Sequence, residues 1–557
     1  MSEFNNPNLK QEGNVHQDVS GNMYSYRDEN NNNNQNIQEE GGAIKRSLGE
    51  GNPNADMVPN YYIPRYGPNF NNETGNGNPY YQQNNNMSNN NSLYWLPFII
   101  IGCFEILAII LLAVLFEKVF KYNLYILDYG LFRDMNIMVF IGFGMLHSIL
   151  RRNSWISITI NILIVAFSVQ FSLFFNFLWK ICFLEKFEYQ IFDFTTLMKA
   201  IFVSSSVIIS LGCVLGKLSI IQYIVMAIFE TIFCSFNYQL CEQKIKIIDY
   251  GGALYIHTFG AIFGLAISIV LFFSSKMKKS FQTNDYLNKS SYFSNIIAFL
   301  GMFFLFCYFP SFNSALSLNE KLRYNGKINT YFSLFGSVMG SFITSALFNG
   351  GRFVFEQILF GSISGAVIIS GCCTVCFYYW ASLLIGTLSG VICVIFLTKI
   401  KPIFLRKGFQ DTCNVFIVHG LSGLLGGFIT PIFISGFKYI ENTNPLDMNT
   451  LINNREYNSQ AGMQIGAIFA TVGFSFIGGI ATGFLMKFTL CGKINEFFTD
   501  SVFFKEEENN FFEYIEPNTM FNVDINNPSL FPKKFEFPIY ENQNLKTPDI
   551  GGRQLRC

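Results

Sequence analysis

The stretch DYGGALYIHTFGAIFGL, Asp249–Leu265, places a histidine inside a run that continues uncharged to Phe273. At ~20 apolar residues the run is long enough to cross a bilayer as a helix. A polar ring in hydrocarbon needs a hydrogen-bond partner, a wet cavity or a function. A second stretch, DTCNVFIVHGLSGLLGGF (Asp411–Phe428), repeats the pattern. Asp249 and Asp411 each precede a histidine, His257 and His419, by eight residues. Gly264 and Gly426 each follow that histidine by seven, so both runs read D-x7-H-x6-G. His257 alone reads equally well as a core histidine bonded to a carbonyl, but a matched pair argues for a shared site.

Composition sets the setting. The chain has 557 residues, of which 50% are hydrophobic and only 14% charged, against ~25% charged in soluble domains. Formal net charge is zero, so nothing points to nucleic acid. Long apolar runs alternate with short charged connectors from Ser92 to Lys487, as in a multi-spanning α-helical membrane protein. Twelve spans are expected: 93–115, 131–150, 155–177, 197–215, 221–240, 251–273, 293–315, 330–348, 358–375, 379–398, 415–437 and 461–488. Three regions follow: an Asn-rich tail over 1–91, a membrane domain over 92–490 and a polar tail over 491–557. The first tail cannot bury a core and is expected to be disordered. No charged-then-apolar leader opens the chain, so the first span is expected to direct insertion.

The connectors with Arg151–Arg152, Lys276/Lys278/Lys279 and Lys401/Arg406/Lys407 fall on one side of this count. Few acids accompany them, which points that side to the cytosol. An even number of spans then leaves both tails cytosolic. Asn72-Glu73-Thr74 and Asn90-Asn91-Ser92 are glycosylation sequons, and their use would invert this topology. Cys372, Cys373 and Cys376 have metal-like spacing, but they end an apolar run and read as small packing residues. Cys182 and Cys241 fall in connectors on one side, which permits a disulfide. His147 ends its span beside Arg151 and Arg152 and reads as interfacial.

The two D-x7-H-x6-G spans are the fifth and tenth after the first. Five is odd, so the second five-helix half is inverted in the membrane, a plan that puts a functional site near the midplane. The glycines permit close helix approach. Each Asp lies ~12 Å up the helix from its His, where it suits a helix N-terminus. Capping and tethering account for the aspartates without any contact to a substrate.

Six stretches in order resemble the ammonium transporter/Rhesus glycoprotein family, closest to its Rhesus branch. They are FRDMNIMVFIGFGML (Phe132–Leu146), NILIVAFSVQF (Asn161–Phe171), DYGGALYIHTFGAIFGL, FPSFNSA (Phe309–Ala315), INTYFSL (Ile328–Leu334) and DTCNVFIVHGLSGLLGG. The resemblance covers about 93–487, and the extra first span fits the Rhesus branch. It implies an all-α integral membrane fold of two inverted halves plus flanking helices, assembled as a homotrimer with a pore in each subunit. It also implies a twin-histidine pair, His257 and His419, and a gate of two stacked phenylalanines. NILIVAF places one at Phe167 and FPSFNSA the other at Phe312, with Asn313 beside it. Asp249 and Asp411 would shape the two vestibules, with Gly264 and Gly426 supporting the pore. The Rhesus pattern has a further histidine and an asparagine where this chain has Phe416 and Ile417, which makes the inner half of the pore less polar.

The expected function is passage of ammonia, ammonium and methylammonium, with no cofactor and no enzymatic activity, in the plasma membrane. Two rivals stand beside it. One is a sensor or scaffold that binds ammonium on the same fold without useful flux. The other is an electron carrier with His257 and His419 as axial ligands of one haem. Passage of another small neutral gas is a third possibility. Flux direction and charge stoichiometry are open at this stage.

Overall fold

The structure is a computed structural model. It describes residues 91–122, 128–150, 154–185, 190–273, 288–317, 319–437, 452, 454–488 and 497–498. Residues 1–90, with the sequon asparagines Asn72 and Asn90, most of the C-terminal tail, Arg151–Arg152 and Lys276/Lys278/Lys279 lie outside the described residues.

Among the described residues twelve helical segments follow one another. α1 is Asn91–Lys118. α2 begins as Tyr129–Asn136, passes through a π-helical stretch Ile137–Gly142 and a turn Phe143–Leu146, and ends in a 3₁₀ turn His147–Ile149. α3 is Ser154–Leu184, α4 Phe194–Val214 and α5 Ile220–Gln239. α6 starts π-helical over Ala253–Thr258 and continues as Phe259–Phe272. α7 is Tyr292–Ser314, α8 Glu320–Phe348 and α9 Phe355–Ile369. α10 runs over Tyr379–Lys407. α11 starts π-helical over Phe416–Leu421 and continues as Ser422–Phe437, and α12 is Tyr457–Phe488. Ten helices among the described residues are long and apolar enough to cross a membrane; α9 is shorter and α2 is interrupted. A short parallel ribbon, β1 (Phe120–Tyr122) on β2 (Gln190–Phe192), pairs Phe120 with Gln190.

α3 runs on to Leu184 and α10 to Lys407, past the expected ends at Phe177 and Thr398, and α8 and α9 also differ from expectation. α8 starts at Glu320, ten residues before the expected Thr330, because the Asn319 side chain caps it by accepting the Leu322 N–H. α9 stops at Ile369 and the chain turns through Cys372–Cys376 instead of continuing to Val375. Non-helical backbone at membrane depth needs its carbonyls satisfied. Asn325 and Asn329 of α8 do this, donating to the Thr374, Cys373 and Cys376 carbonyls at 2.6–3.0 Å. A comparable device serves the first helix of the first half. Asn161 of α3 donates to the Val139 and Phe140 carbonyls in the π-helical part of α2.

α4 and α6 form the buried centre, with 89% and 78% of their membrane stretches enclosed, whereas α1 has 11% and faces outward. α6 and α11 cross antiparallel. Gly427 lies against Leu254, Gly426 beside Ala253, and Gly420 against Ala261. The glycines of the repeat make equivalent contacts. A Cβ on Gly264 would lie 2.8 Å from Ser210 Cα of α4, and one on Gly426 would lie 2.3 Å from the Ile368 carbonyl oxygen of α9. α2–α6 and α7–α11 are thus two inverted five-helix halves, with α1 and α12 as flanks.

Candidate functional site

Each half builds its histidine on the same scaffold. Asp249 accepts the Ala253 and Leu254 N–H groups at 2.7 and 2.9 Å. Asp411 accepts those of Val415 and Phe416 at 3.0 and 2.8 Å. The donors sit four and five residues beyond the acid in both cases, so each carboxylate satisfies helix-start N–H groups that have no intrahelical partner. The third residue after each acid is left-handed: Gly252 at φ 75° and Asn414 at φ 54°. Glycine adopts this without penalty, and asparagine is among the few side chains that tolerate it. Asn414 is also held by a bond to Glu356, which pairs with Lys401. Burial pushes the Asp249 carboxyl up to about 7, against the backbone N–H groups that pull it down. Burial also raises that of Asp411, opposed by the Phe416 and Val415 N–H groups and by Lys217 and Lys401.

Both histidines fall within the π-helical turns that follow, His257 in Ala253–Thr258 and His419 in Phe416–Leu421. Both are buried, and their rings stack with centroids 5.2 Å apart and planes 16° from parallel. The two Nδ1 atoms are 3.2 Å apart, a hydrogen bond in which one donates and the other accepts. Whichever ring donates, the pair turns one lone-pair nitrogen and one N–H away from itself. His257 Nε2 has no hydrogen-bond partner.

The rings extend into a line. Toward the Asp249 end, Phe309 is 6.0 Å from His257 and 6.2 Å from Phe312. Phe312 stacks on Phe202 of α4 at 4.7 Å and 27°. The expected stack of Phe167 on Phe312 is therefore not the one that forms. Phe167 is packed instead against Phe104 of α1 at 5.9 Å and Phe171 at 4.6 Å, on the side of α3 that faces the outermost helix. The stacked pair is Phe202 with Phe312, and Phe202 is a ring that the sequence motifs do not mark. Its signal in the sequence was its neighbourhood, since Phe202 precedes Ser204–Ser206 in KAIFVSSS and small residues mark close helix packing.

Asn313 binds the line to the bundle, donating to Thr330 Oγ1 and the Ala366 carbonyl. Ser311 of FPSFNSA donates to Asp134 of FRDMN, so these two stretches meet in space. Glu230 of α5, absent from the expected site, accepts from Ser206 and Ser210 of α4 at 3.1 and 2.7 Å. Ser210 also reaches the Gly260 carbonyl of α6.

Toward the Asp411 end, Phe143 lies 5.8 Å from His419 and 5.8 Å from His147. His147 is 1% exposed, not interfacial as expected. The π-helical turn and 3₁₀ end of α2 change the phase of that helix and bring the ring inward. Beyond it, Asp411, Asn414, Phe416 and Ile417 line a small depression with Leu265 and Phe404.

Cys182 lies exposed in α3 and Cys241 is buried, and both are free thiols, so the permitted disulfide does not form. Cys372, Cys373 and Cys376 are buried packing residues, and Cys373 Sγ lies 3.4 Å from the Asn313 carbonyl oxygen. No group of three His, Cys, Asp or Glu suited to a metal exists among the described residues.

Inverted halves around a buried line of rings, with an acid-capped helix entering from each end, define a multi-pass membrane protein of the channel and transporter class. The chain belongs to the ammonium transporter family, whose profile, described as Ammonium Transporter Family, matches residues 99–497. It is 32% identical over 390 residues to the ammonium transporter Rh type B-A of Xenopus laevis, covering 68% of this chain and 82% of the relative. It is 29% identical over 406 residues to the human ammonium transporter Rh type C, covering 71% and 82%. Among solved structures it resembles Rh50 of Nitrosomonas europaea, with a TM-score of 0.57 and 26% identity over 69% of this chain and 93% of that one. Mep2 of Saccharomyces cerevisiae shares the fold, with a TM-score of 0.53 at 17% identity, covering 69% and 91%.

Proposed function

We propose that the chain conducts ammonia across a membrane along the line Phe202/Phe312, Phe309, His257 and His419, collecting it as ammonium at the Asp249 end. Family membership supports the substrate, and the observation that carries the route is the stacked, Nδ1-bonded histidine pair between the two acid-capped helices. Ammonium predominates in water at neutral pH, but an unpaired ion in an apolar passage costs far more than the ~2–7 kcal/mol of an unpaired neutral polar group. The ion would be drawn by the Asp249 carboxylate and by aromatic faces, and would leave its proton outside the stacked phenylalanines. Ammonia both donates and accepts hydrogen bonds. It would find a lone pair at one end of the imidazole pair and an N–H at the other.

Each oxygen of Asp249 and Asp411 already accepts a backbone N–H. Their role is to hold the helix starts and shape the field of each vestibule. The proposal places the Asp411 end and both tails in the cytosol and the protein in the plasma membrane as a homotrimer. It takes 92–490 as the membrane domain and 1–91 and 491–557 as tails. The mass of the protein in detergent and protease access to the tails in sealed vesicles check these placements. No enzymatic step is assigned.

The test is a stopped-flow record of internal pH in liposomes after an ammonium gradient. Wild type is expected to alkalinise the lumen well ahead of empty vesicles, and the His257→Ala, His419→Ala double variant to match empty vesicles. A well-folded wild type no faster than empty vesicles would overturn the conduction reading. It would favour an ammonium-binding sensor on the same scaffold.

A further inference from the structure

We infer that His147 is a third substrate-binding histidine, which continues the His257–His419 line to the Asp411 end. This rests on the reading that ammonia travels along that line. His147, His257 and His419 are the three histidines among the described residues, and all three are buried on one line of rings. Phe143 links His419 to His147, 5.8 Å from each. The Nε2 edge of His147 lies against Gly212 of α4 and beside Val415 of α11. A Cβ on Gly212 would be 2.6 Å from that nitrogen and 2.8 Å from Val415 Cγ2. Val415 is the residue whose N–H Asp411 accepts. His147 is therefore set between helices of both halves, one bearing Phe202 and the other His419, at the step between the pair and the Asp411 vestibule.

The other edge gives the reason for a ligand. His147 Nδ1 is buried with no hydrogen-bond partner. A buried nitrogen left unpaired is costly, and replacing it with an apolar atom of like shape is neutral or stabilising. A side chain kept only for packing would lose nothing by being leucine. A small solute that both donates and accepts would pair this nitrogen in either tautomer. Phe143, Phe416 and Ile417 are apolar at this end, ahead of Asp411 and Asn414 in the depression, and His147 is the polar side chain of α2 that would receive ammonia from His419.

The experiment measures ammonia and methylammonium flux by stopped flow in liposomes holding wild type, His147→Leu, His147→Gln and the His257→Ala, His419→Ala double variant. Thermal unfolding of each in detergent accompanies the flux. His147→Leu is expected to slow ammonia about five- to tenfold, the loss of one neutral hydrogen bond on the path. It should unfold no earlier than wild type. His147→Gln, which keeps a donor and an acceptor, is expected to recover most of the flux. If His147→Leu does not yield monodisperse protein, His147→Met takes its place with the same expectation.

Wild-type flux in the apolar variant, with the double variant inactive, would overturn the role of His147 and leave the His257–His419 route standing. Slowing to the same degree in the apolar and Gln variants, with both unfolding early, would also overturn it and mark a packing residue. Wild type no faster than empty vesicles would overturn the route itself and this inference with it.

Discussion

Replacing Gly426 with alanine tests the inverted repeat and the histidine pair together. A Cβ there would lie 2.3 Å from the Ile368 carbonyl oxygen. Ordinary contact begins near ~3.5 Å, so α9 and α11 must part by about 1 Å. The obstacle is backbone, and no rotamer change relieves it. Overpacking of this kind costs about 1–3 kcal/mol. The equivalent change at Gly264 meets Ser210 Cα at 2.8 Å and asks for a smaller displacement, so Gly426→Ala is expected to be the worse of the two. The displacement also reaches the site. His257 and His419 are bonded at 3.2 Å, and a retreat of α11 by even ~0.5 Å exceeds hydrogen-bond range. Losing that bond is worth about tenfold in flux, or ~1.4 kcal/mol. Thermal unfolding in detergent and stopped-flow ammonia flux in liposomes are the two readouts. Gly426→Ala with wild-type unfolding and wild-type flux would refute the close crossing. A more damaging Gly264→Ala would refute its ranking.

Three further outcomes follow from the geometry. Phe202→Ala and Phe312→Ala are each expected to change ammonia flux and the discrimination against methylammonium, while Phe167→Ala costs about 3–5 kcal/mol of stability at most and leaves discrimination alone; the same flux assay with both substrates decides. Asp411→Ala strips the acceptor from the Val415 and Phe416 N–H groups and is expected to cost ~1–2 kcal/mol, read as earlier unfolding, whereas a neutral change would show that other groups cap α11. For Asp249, the folded carboxyl sits at about 7 against an ordinary 3.8, so the folded protein holds a proton that the unfolded chain releases. Its contribution is full below ~4 and is lost as pH rises through ~7. The unfolding temperature of wild type relative to Asp249→Asn is therefore expected to fall over that window, and a difference independent of pH would refute the assignment.

What could be read from the chain was what repeats at fixed spacing. D-x7-H-x6-G named both histidines, both caps and both packing glycines, because each is a local requirement of one helix start and one crossing. The Phe202–Phe312 stack was not legible in that way. A stacked pair is a contact between α4 and α7, and with 64 phenylalanines in the chain no single one stands out. The NILIVAF match drew attention to Phe167, yet the residue of that stretch that serves the interior is Asn161, which binds the carbonyls that α2 leaves open. His147 was misplaced for a related reason. Nearness to Arg151 in sequence is a guide to depth only for a regular helix, and a π-helical turn upstream rotates everything after it.

The irregular backbone and the site are one design. In a bilayer an unpaired carbonyl or N–H is expensive, so straight α-helices are the default and each departure needs its own side-chain partner. Among this chain's departures are those at α2, at the end of α9 and at the starts of α6 and α11. The chain answers these with Asn161, with Asn325 and Asn329, and with Asp249 and Asp411, the two acids in matching places of the two halves. The same departures set the direction of His147, His257 and His419. A regular α6 and α11 would place residues eight beyond each acid at a different phase, and the two imidazoles would not face each other at 3.2 Å. The acids and amides hold non-α turns in place, and those turns aim the rings.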